Sequence, residues 1–132
     1  EAAHLLGISV NDLQQNRIEA IHKLQSRFPF VNVWVLKGPH TLIASSNIVY
    51  QNSSGSQAMA SAGQGDVLSG IIAAFLLEQE SSIQAVASAV YVHGMAADML
   101  SDNAKNDRGV LAHEVAQMLP TALAKLLDAQ KL

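Results

Sequence analysis

Apolar residues recur at helical spacing near the start of the chain. The repeating positions are Leu13, Ile18, Ile21 and Leu24. This pattern predicts an amphipathic helix over residues 12–27, with Asn11 as its N-cap and Phe28-Pro29 as its end. Residues 1–7 also read as part of an amphipathic helix, with no Met and no N-cap before them, so we expect further sequence upstream.

Three short apolar runs follow this helix and predict strands. Residues 31–36 are mostly β-branched or apolar and end at a Lys-Gly-Pro turn, the pattern of a buried strand. Residues 41–45 and 48–51 predict a small hairpin around Ser46-Asn47. A helix that leads into strands in this way indicates an α/β fold.

The second half of the chain has mainly helical patterns. It begins with a polar stretch, residues 52–65, that has almost no periodicity and is longer than most connections, so we expect a loop that carries function. The predicted helices cover 66–78, 83–101, 111–119 and 121–127. A polar loop is predicted over 102–109. Pro120 should break or kink the last helical region, because proline removes a backbone donor.

Composition narrows the class of protein. The chain of 132 residues is 49% hydrophobic and 14% charged, enough to bury the core of one domain. Its net charge of -3 and its scattered Lys and Arg residues give no basic surface, so we expect no nucleic-acid partner. The longest apolar stretch, residues 71–77, is too short for a bilayer, and the absence of cysteine fits a reducing compartment. We therefore expect a cytoplasmic protein that does not bind a membrane.

The segment with the clearest chemistry is residues 63–70, where two glycines and a carboxylate begin an apolar helix. Gly63 and Gly65 leave backbone N–H groups unobstructed, and a helix N-terminus adds roughly half a positive charge, so the segment can bind an anion such as phosphate. Asp66 would lie beside that anion and could take a proton from a hydroxyl that attacks a phosphoryl group. The alternative is that Asp66 only caps or charges the first helical turn.

A longer pattern surrounds this segment. Residues 52–70 resemble the motif N-x-x-G-x-x-x-M-A-x-x-G-x-G-D-V-L-x-G of the NAD(P)H-hydrate dehydratases. Further segments that resemble the family are Glu1–Gly7 (E-A-x-R-L-L-G), Val35–Thr41 (V-L-K-G-x-x-T), Tyr91–Asp98 (Y-x-H-G-x-A-x-D) and Gly109–Pro120, its closing segment. The chain departs from the pattern at His4, Gln57-Ala58 and Ala62, where Arg, Pro-Gly and Gly are usual.

This resemblance implies a ribokinase-like three-layer α/β/α sandwich, of which residues 1–132 would be the C-terminal portion. The implied enzyme is a lyase that phosphorylates the hydroxyl of NAD(P)H hydrate with ADP or ATP and then eliminates phosphate to restore NADH or NADPH. Mg²⁺ would arrive with the nucleotide phosphates. The family's substrate-binding H-x-G-E segment would lie before Glu1, so we expect activity only where that part is present. We also expect a homo-oligomer.

The resemblance also carries the family's functional residues onto matching positions. Asp66 would bind the hydrated cofactor and accept the proton, and the anion hole would consist of Gly63, Gln64 and Gly65. The residues expected to contact the nucleotide are Lys37, Gly38, Pro39, His40 and Thr41, together with Asn52, Gly55, Ser56, Gln57, Ala58, Met59, Ala60, Ser61, Ala62, Gly63, Gln64 and Gly65.

Other interpretations stay open at this point. The same anion hole and base would serve a ribokinase-like kinase of a sugar or vitamin alcohol, and a third hypothesis is a non-catalytic fragment that packs on a partner chain. Lys37 could bind phosphate or be a solvated surface lysine. His93 and Asp98 lie five residues apart, so packing and hydrogen bonding account for them better than metal ligation. His40 and His113 have no second ligand at metal spacing, so we expect no metal site built by the protein.

Overall fold

Six α-helices, one 3₁₀ helix and three strands make up the part of the protein that the computed structural model describes, residues 1–104 and 109–129. In chain order they are α1 (Ala2–Leu6), α2 (Val10–Gln15), α3 (Arg17–Arg27), β1 (Trp34–Leu36), β2 (Leu42–Ser45), β3 (Ile48–Gln51), the 3₁₀ helix (Gln57–Met59), α4 (Gln64–Glu78), α5 (Ser82–Ala104) and α6 (Ala112–Ala129). They form two units: Glu1–Asn52, and the described residues from Ser53 onward. Each unit has its own hydrophobic cluster.

The predicted helix over residues 12–27 is in fact two helices, α2 and α3, and the prediction of Asn11 as its cap is wrong. Ser9 is the N-cap of α2, and its hydroxyl accepts the N–H of Asp12 at 3.0 Å. The break falls at Asn16, whose φ of -131° and ψ of 49° are not helical. Asparagine is unfavourable in helix interiors because its short polar side chain can hydrogen-bond to the nearby backbone in non-helical conformations. Asn16 therefore ends α2 and begins α3.

The three strands form one antiparallel sheet in the order β1-β2-β3. The predicted hairpin is confirmed, with β3 at the expected bounds and Ser46 in the left-handed region of its turn at a φ of 50°. Strand β1 is shorter than predicted, because the N–H of Val31 donates to the carbonyl of Phe28 at 3.1 Å and forms a turn instead. Only Leu36 of β1 is buried, so the expectation of a buried strand is wrong for its first two residues.

The core of the first unit lies between α3 and the sheet. Ile21 and Leu24 on α3 are fully buried, as is Ala44 on β2, and Leu36 and Leu42 are nearly so. Removing a side chain the size of Ile21 from such a core costs about 2–5 kcal/mol. This packing fixes the turn between β1 and β2, which carries the first stretch of predicted nucleotide contacts.

The second unit is helical, as predicted, and packs α5 against both α4 and α6. Helix α4 begins two residues earlier than expected, and α5 continues to Ala104 and so replaces the start of the predicted loop over 102–109; residues 105–108 lie outside the described ranges. Helix α6 runs through Pro120 without a break. The buried side chains of this core are small, with four alanines and three valines: Ala58, Val92, Ala96, Ala97, Val110, Val115 and Ala122.

Candidate functional site

The start of α4 presents free backbone donors. Gly63 is its N-cap, with a left-handed φ of 88°, and no side chain caps the helix there. The N–H groups of Asp66 and Val67 both donate to the carbonyl of Gly63 at 3.1 Å. Within the described residues, the N–H groups of Gly63, Gln64 and Gly65 have no such acceptor. Three successive amides at the positive end of a helix are an arrangement that can attract an anion.

Asp66 lies in the first turn of α4, next to these amides. Its side chain is exposed and makes no hydrogen bond or ion pair with any residue that the structure describes. It therefore does not cap the helix through a side-chain hydrogen bond, although its charge still favours the helix N-terminus. The carboxylate lines an open cavity of about 370 Å³ whose other walls are mainly apolar, with Ile71, Phe75 and Leu119 among them. It is thus available to a ligand.

Behind the amides, three side chains form a hydrogen-bonded chain. The hydroxyl of Ser61 donates to the carbonyl of Val110 at 2.8 Å, and the amide of Gln64 donates to Ser61 at 3.1 Å. The carbonyl oxygen of Gln64 lies 3.1 Å from Nε2 of His93. Because that oxygen can only accept, Nε2 of His93 must carry the proton. These hydrogen bonds connect the first residue of α4 to the middle of α5.

The predicted loop is held against α5 at its other end. The hydroxyl of Ser54 donates to the carbonyl of Tyr91 at 2.7 Å, and the N–H of Gly55 donates to the carboxylate of Asp98 at 2.8 Å. Gly94 lies between these contacts, where a Cβ atom would meet the backbone carbonyl carbon of Ser54 at 2.7 Å. The expectation that hydrogen bonding and packing explain His93 and Asp98 is confirmed. Sequence reasoning missed the part that Gly94 has in this contact.

The middle of the loop forms one turn of 3₁₀ helix. The hydroxyl of Ser56 accepts the N–H of Ala58 at 3.3 Å, and Gln57 is exposed on that turn. The side chain of Ala58 is buried in the core of this unit, so only its backbone can reach a ligand. Ala60 and Ala62 are exposed. The predicted nucleotide contacts from Gly55 to Gly65 therefore form one continuous surface segment of the second unit. Within it, the side chains of Ala58 and Gln64 are buried.

In the first unit, the stretch from Lys37 to Thr41 forms a constrained turn. Gly38 has a φ of 133° and His40 a φ of 51°, and the hydroxyl of Thr41 donates to the carbonyl of Gly38 at 3.1 Å. The guanidinium of Arg17 donates to the carbonyls of Leu36 and Lys37 at 2.9 and 3.4 Å. Sequence reasoning missed Arg17, which is 20 residues from the turn and has no motif of its own.

Two further predicted residues belong to this turn. The carbonyl of Thr41 accepts the N–H of Asn52 at 2.9 Å, so the structure brings these two expected nucleotide contacts together. Within the part of the chain that the structure describes, Lys37 is exposed and its one ion pair is a long surface contact of 3.8 Å with Glu1. Such exposed pairs contribute little to stability, so the ammonium group is free to bind an anion.

The burial of His93 makes the stability of the protein depend on pH. Burial lowers the pKa of His93 below its ordinary value of 6.5, while the unfolded chain keeps the ordinary pKa. On acidification the unfolded state therefore binds the proton first. The stability that neutral His93 contributes is complete above about pH 6.5 and is lost as the pH falls through the folded-state pKa.

We predict that the free energy of unfolding decreases between about pH 7 and pH 5, and that His93→Gln removes part of this decrease. Urea unfolding of the natural full-length protein and of its His93→Gln variant at several pH values gives the slope of the free energy of unfolding against pH for each. Equal slopes for the wild type and His93→Gln would show that His93 does not titrate on unfolding.

Comparison with known proteins identifies the family. A profile of the NAD(P)H-hydrate dehydratase family matches residues 1–121. The chain belongs to this family. It is 40% identical to the ADP-dependent (S)-NAD(P)H-hydrate dehydratase of Neisseria meningitidis over 117 residues, which are 88% of this chain and 39% of that protein. The family resemblance inferred from the motifs is thereby confirmed.

Solved structures of the family agree with the fold. The ADP/ATP-dependent NAD(P)H-hydrate dehydratase of Bacillus subtilis, co-crystallised with ATP/Mg²⁺ and soaked with CoA, superposes with a TM-score of 0.83 at 35% identity, over 90% of this chain and 43% of that one. A ribokinase-like superfamily protein of Enterococcus faecalis superposes with a TM-score of 0.65 at 38% identity, over 76% of this chain and 35% of that one. The predicted ribokinase-like α/β class is confirmed.

The chain spans less than half the length of each of these three proteins. In the described residues of this dehydratase-family chain, no helix is both long enough and apolar enough to cross a membrane.

Proposed function

We propose that the protein restores NADH or NADPH from NAD(P)H hydrate in a reaction driven by ADP or ATP, and that residues 1–132 form the C-terminal portion of one ribokinase-like dehydratase domain. The observation that carries this proposal is the position of Asp66, which follows directly on the three amides of Gly63, Gln64 and Gly65. The ADP-dependent dehydratase of Neisseria meningitidis and the ATP/Mg²⁺ complex of the Bacillus subtilis enzyme support it.

In this reaction Asp66 acts as the base. Its carboxylate accepts the proton of the ring hydroxyl while the hydroxyl oxygen attacks the terminal phosphorus of the nucleotide. The bond from that phosphorus to the nucleotide breaks, which releases AMP from ADP or ADP from ATP. The ring C–O bond of the phosphate ester then breaks, inorganic phosphate leaves, and loss of a proton restores the double bond of the dihydronicotinamide. The amides of Gly63, Gln64 and Gly65 stabilise the charge on the transferred phosphoryl group.

Each of the two stretches identified from the sequence offers proposed nucleotide contacts within its own unit. In the first unit, the Lys37–Thr41 turn supplies an exposed ammonium group and backbone held by Arg17. In the second unit, Gly55 and the turn that follows it supply backbone donors and small side chains. The apolar cavity beside Asp66 offers a surface for a ring of the cofactor.

Magnesium would bind together with the nucleotide. In the described residues there is no group of three or more His, Cys, Asp or Glu side chains that could hold a metal ion. Mg²⁺ in such enzymes keeps several waters and binds largely through substrate phosphates, so it would arrive with the nucleotide. We also propose a cytoplasmic location and a homo-oligomeric state, as expected from the sequence.

The experiment that tests this function measures the absorbance of NADH as it is formed from NADH hydrate. The natural full-length protein is incubated with NADH hydrate, Mg²⁺ and either ADP or ATP, and the NADH formed is recorded together with inorganic phosphate. We expect equal amounts of both products and dependence on the nucleotide. Accumulation of a stable phosphate ester of a sugar or vitamin alcohol, without NADH recovery, would instead identify a kinase.

A further inference from the structure

The hydrogen bonds among the side chains behind the anion site are all donated in the same direction. His93 donates to Gln64, Gln64 donates to Ser61, and Ser61 donates to the carbonyl of Val110, with distances of 3.1, 3.1 and 2.8 Å. Each side chain uses a donor on one side and an acceptor on the other, except His93, which only donates. Gln64 and His93 are only 9% and 4% exposed. The hydrogen bond between Gln64 and His93 is therefore buried, and the two bonds of Ser61 are partly buried.

Stability alone does not explain why these positions are polar. Burying an amide and an imidazole costs free energy that their mutual hydrogen bond only offsets, and replacing both partners by apolar groups of the same shape can be nearly neutral for stability. The neighbouring core is built of alanine and valine, so apolar packing is the local norm. A buried polar chain of this kind fixes geometry more than it adds stability.

The geometry that it fixes is the first turn of α4. Gln64 is the first residue of that helix, and its own amide lies between those of Gly63 and Gly65. Its side chain is anchored on one side to α5 through His93 and on the other to the segment before α6 through Ser61. These hydrogen bonds therefore restrain the first turn of α4 relative to α5 and to the segment before α6.

We propose that His93 is a positioning residue for the dehydration reaction: through the side chain of Gln64 it holds the amides at the start of α4 in the orientation that binds the transferred phosphoryl group. This inference rests on the proposed function for its kinetic readout. His93 touches no reacting atom, so its effect should appear in kcat and in nucleotide affinity, while the KM for NADH hydrate stays unchanged.

Four variants separate positioning from stability. His93→Leu leaves the Gln64 carbonyl oxygen without a donor, whereas His93→Gln places an amide N–H near the position of Nε2. The double variant His93→Leu/Gln64→Met removes both polar partners, so it should recover much of the melting temperature lost in His93→Leu. His22→Leu removes an exposed histidine of the first unit and is the matched control. For each variant we would measure the melting temperature, kcat, the KM for NADH hydrate, and the Kd for ADP in the presence of Mg²⁺.

We expect kcat to fall about 30-fold in His93→Leu and to stay that low in the double variant, since a small misplacement of a catalytic group costs up to about a hundredfold. His93→Gln should return within about threefold of the wild type, and the Kd for ADP should follow the same order. His22→Leu should behave as the wild type. If kcat and ADP affinity in the double variant recover along with the melting temperature, His93 is merely structural and the proposal is overturned.

The ADP measurement also separates this proposal from the proposed function. If the wild type binds ADP but does not restore NADH, the proposed function fails, and the order of ADP affinities still decides whether His93 positions the amides. If His93→Gln does not fold, the comparison of His93→Leu with the double variant decides. A wild type that binds no ADP would overturn both the anion site and the positioning of its amides by His93.

Discussion

Replacing Asp66 with Asn lowers kcat for NADH recovery by about a thousandfold, because the amide cannot accept the proton of the ring hydroxyl. The substitution keeps the size and shape of the side chain. Asp66 has no partner in the described residues whose loss could disturb the fold, so melting temperature should change little. The Kd for ADP should also stay near that of the wild type, since the amides that bind phosphate belong to the backbone. Stopped-flow or steady-state absorbance of NADH gives kcat directly.

The matched control is Glu78→Gln, the same chemical change at the exposed C-terminal end of the same helix. It should leave kcat within about twofold of the wild type, as expected for a solvated surface carboxylate. If Asp66→Asn also stays within about threefold, Asp66 only interacts with the helix N-terminus, and the base must be sought elsewhere.

Replacing Gly94 with Ala destabilises the protein by about 3 kcal/mol and abolishes most of the activity. The new Cβ would meet the carbonyl carbon of Ser54 at 2.7 Å and the nitrogen of Gly55 at 2.8 Å. Both are backbone atoms, so the loop must move away and its hydrogen bonds to Tyr91 and Asp98 are strained or lost. Overpacking costs about 1–3 kcal/mol, and each lost hydrogen bond adds about 1.

Gly70→Ala is the matched control for stability, because Gly70 is also helical but a Cβ there meets nothing within 4 Å. It should raise the free energy of unfolding by about 0.5–1 kcal/mol, the usual gain when alanine replaces glycine inside a helix. Urea unfolding of the natural full-length protein compares the two. If Gly94→Ala proves as stable as Gly70→Ala, the contact of Gly94 with Ser54 and Gly55 is looser than the structure indicates.

Features that depend on adjacent residues could be predicted from the sequence. The β2-β3 hairpin follows from two short apolar runs around a polar turn, and the free amides at the start of α4 follow from the glycines next to Asp66. The predicted start of α4 lies two residues late because a first-turn carboxylate resembles a cap, whereas the left-handed backbone of Gly63 sets the true start. The break at Asn16 was hidden because the apolar spacing continues through it.

Features that depend on distant residues could not be predicted. Arg17 contacts the carbonyl of Leu36 from 19 residues away, and His93 contacts Gln64 from 29 residues away. The carboxylate of Asp98 reaches the N–H of Gly55 across 43 residues. No local pattern records such pairs, because they arise only when the helices and the loop pack together. The motifs therefore predict which segments carry the proposed chemistry but not the contacts that hold those segments in place.

The proposed anion site at the start of α4 is most directly tested by NMR of the backbone amides during titration with Mg²⁺ and ADP, with adenosine as the control ligand. We predict that the amide resonances of Gly63, Gln64 and Gly65 shift strongly with ADP and hardly at all with adenosine, because these N–H groups bind the phosphates. If ADP binds while these three resonances stay where they are, the phosphates lie elsewhere and the proposed mechanism is contradicted.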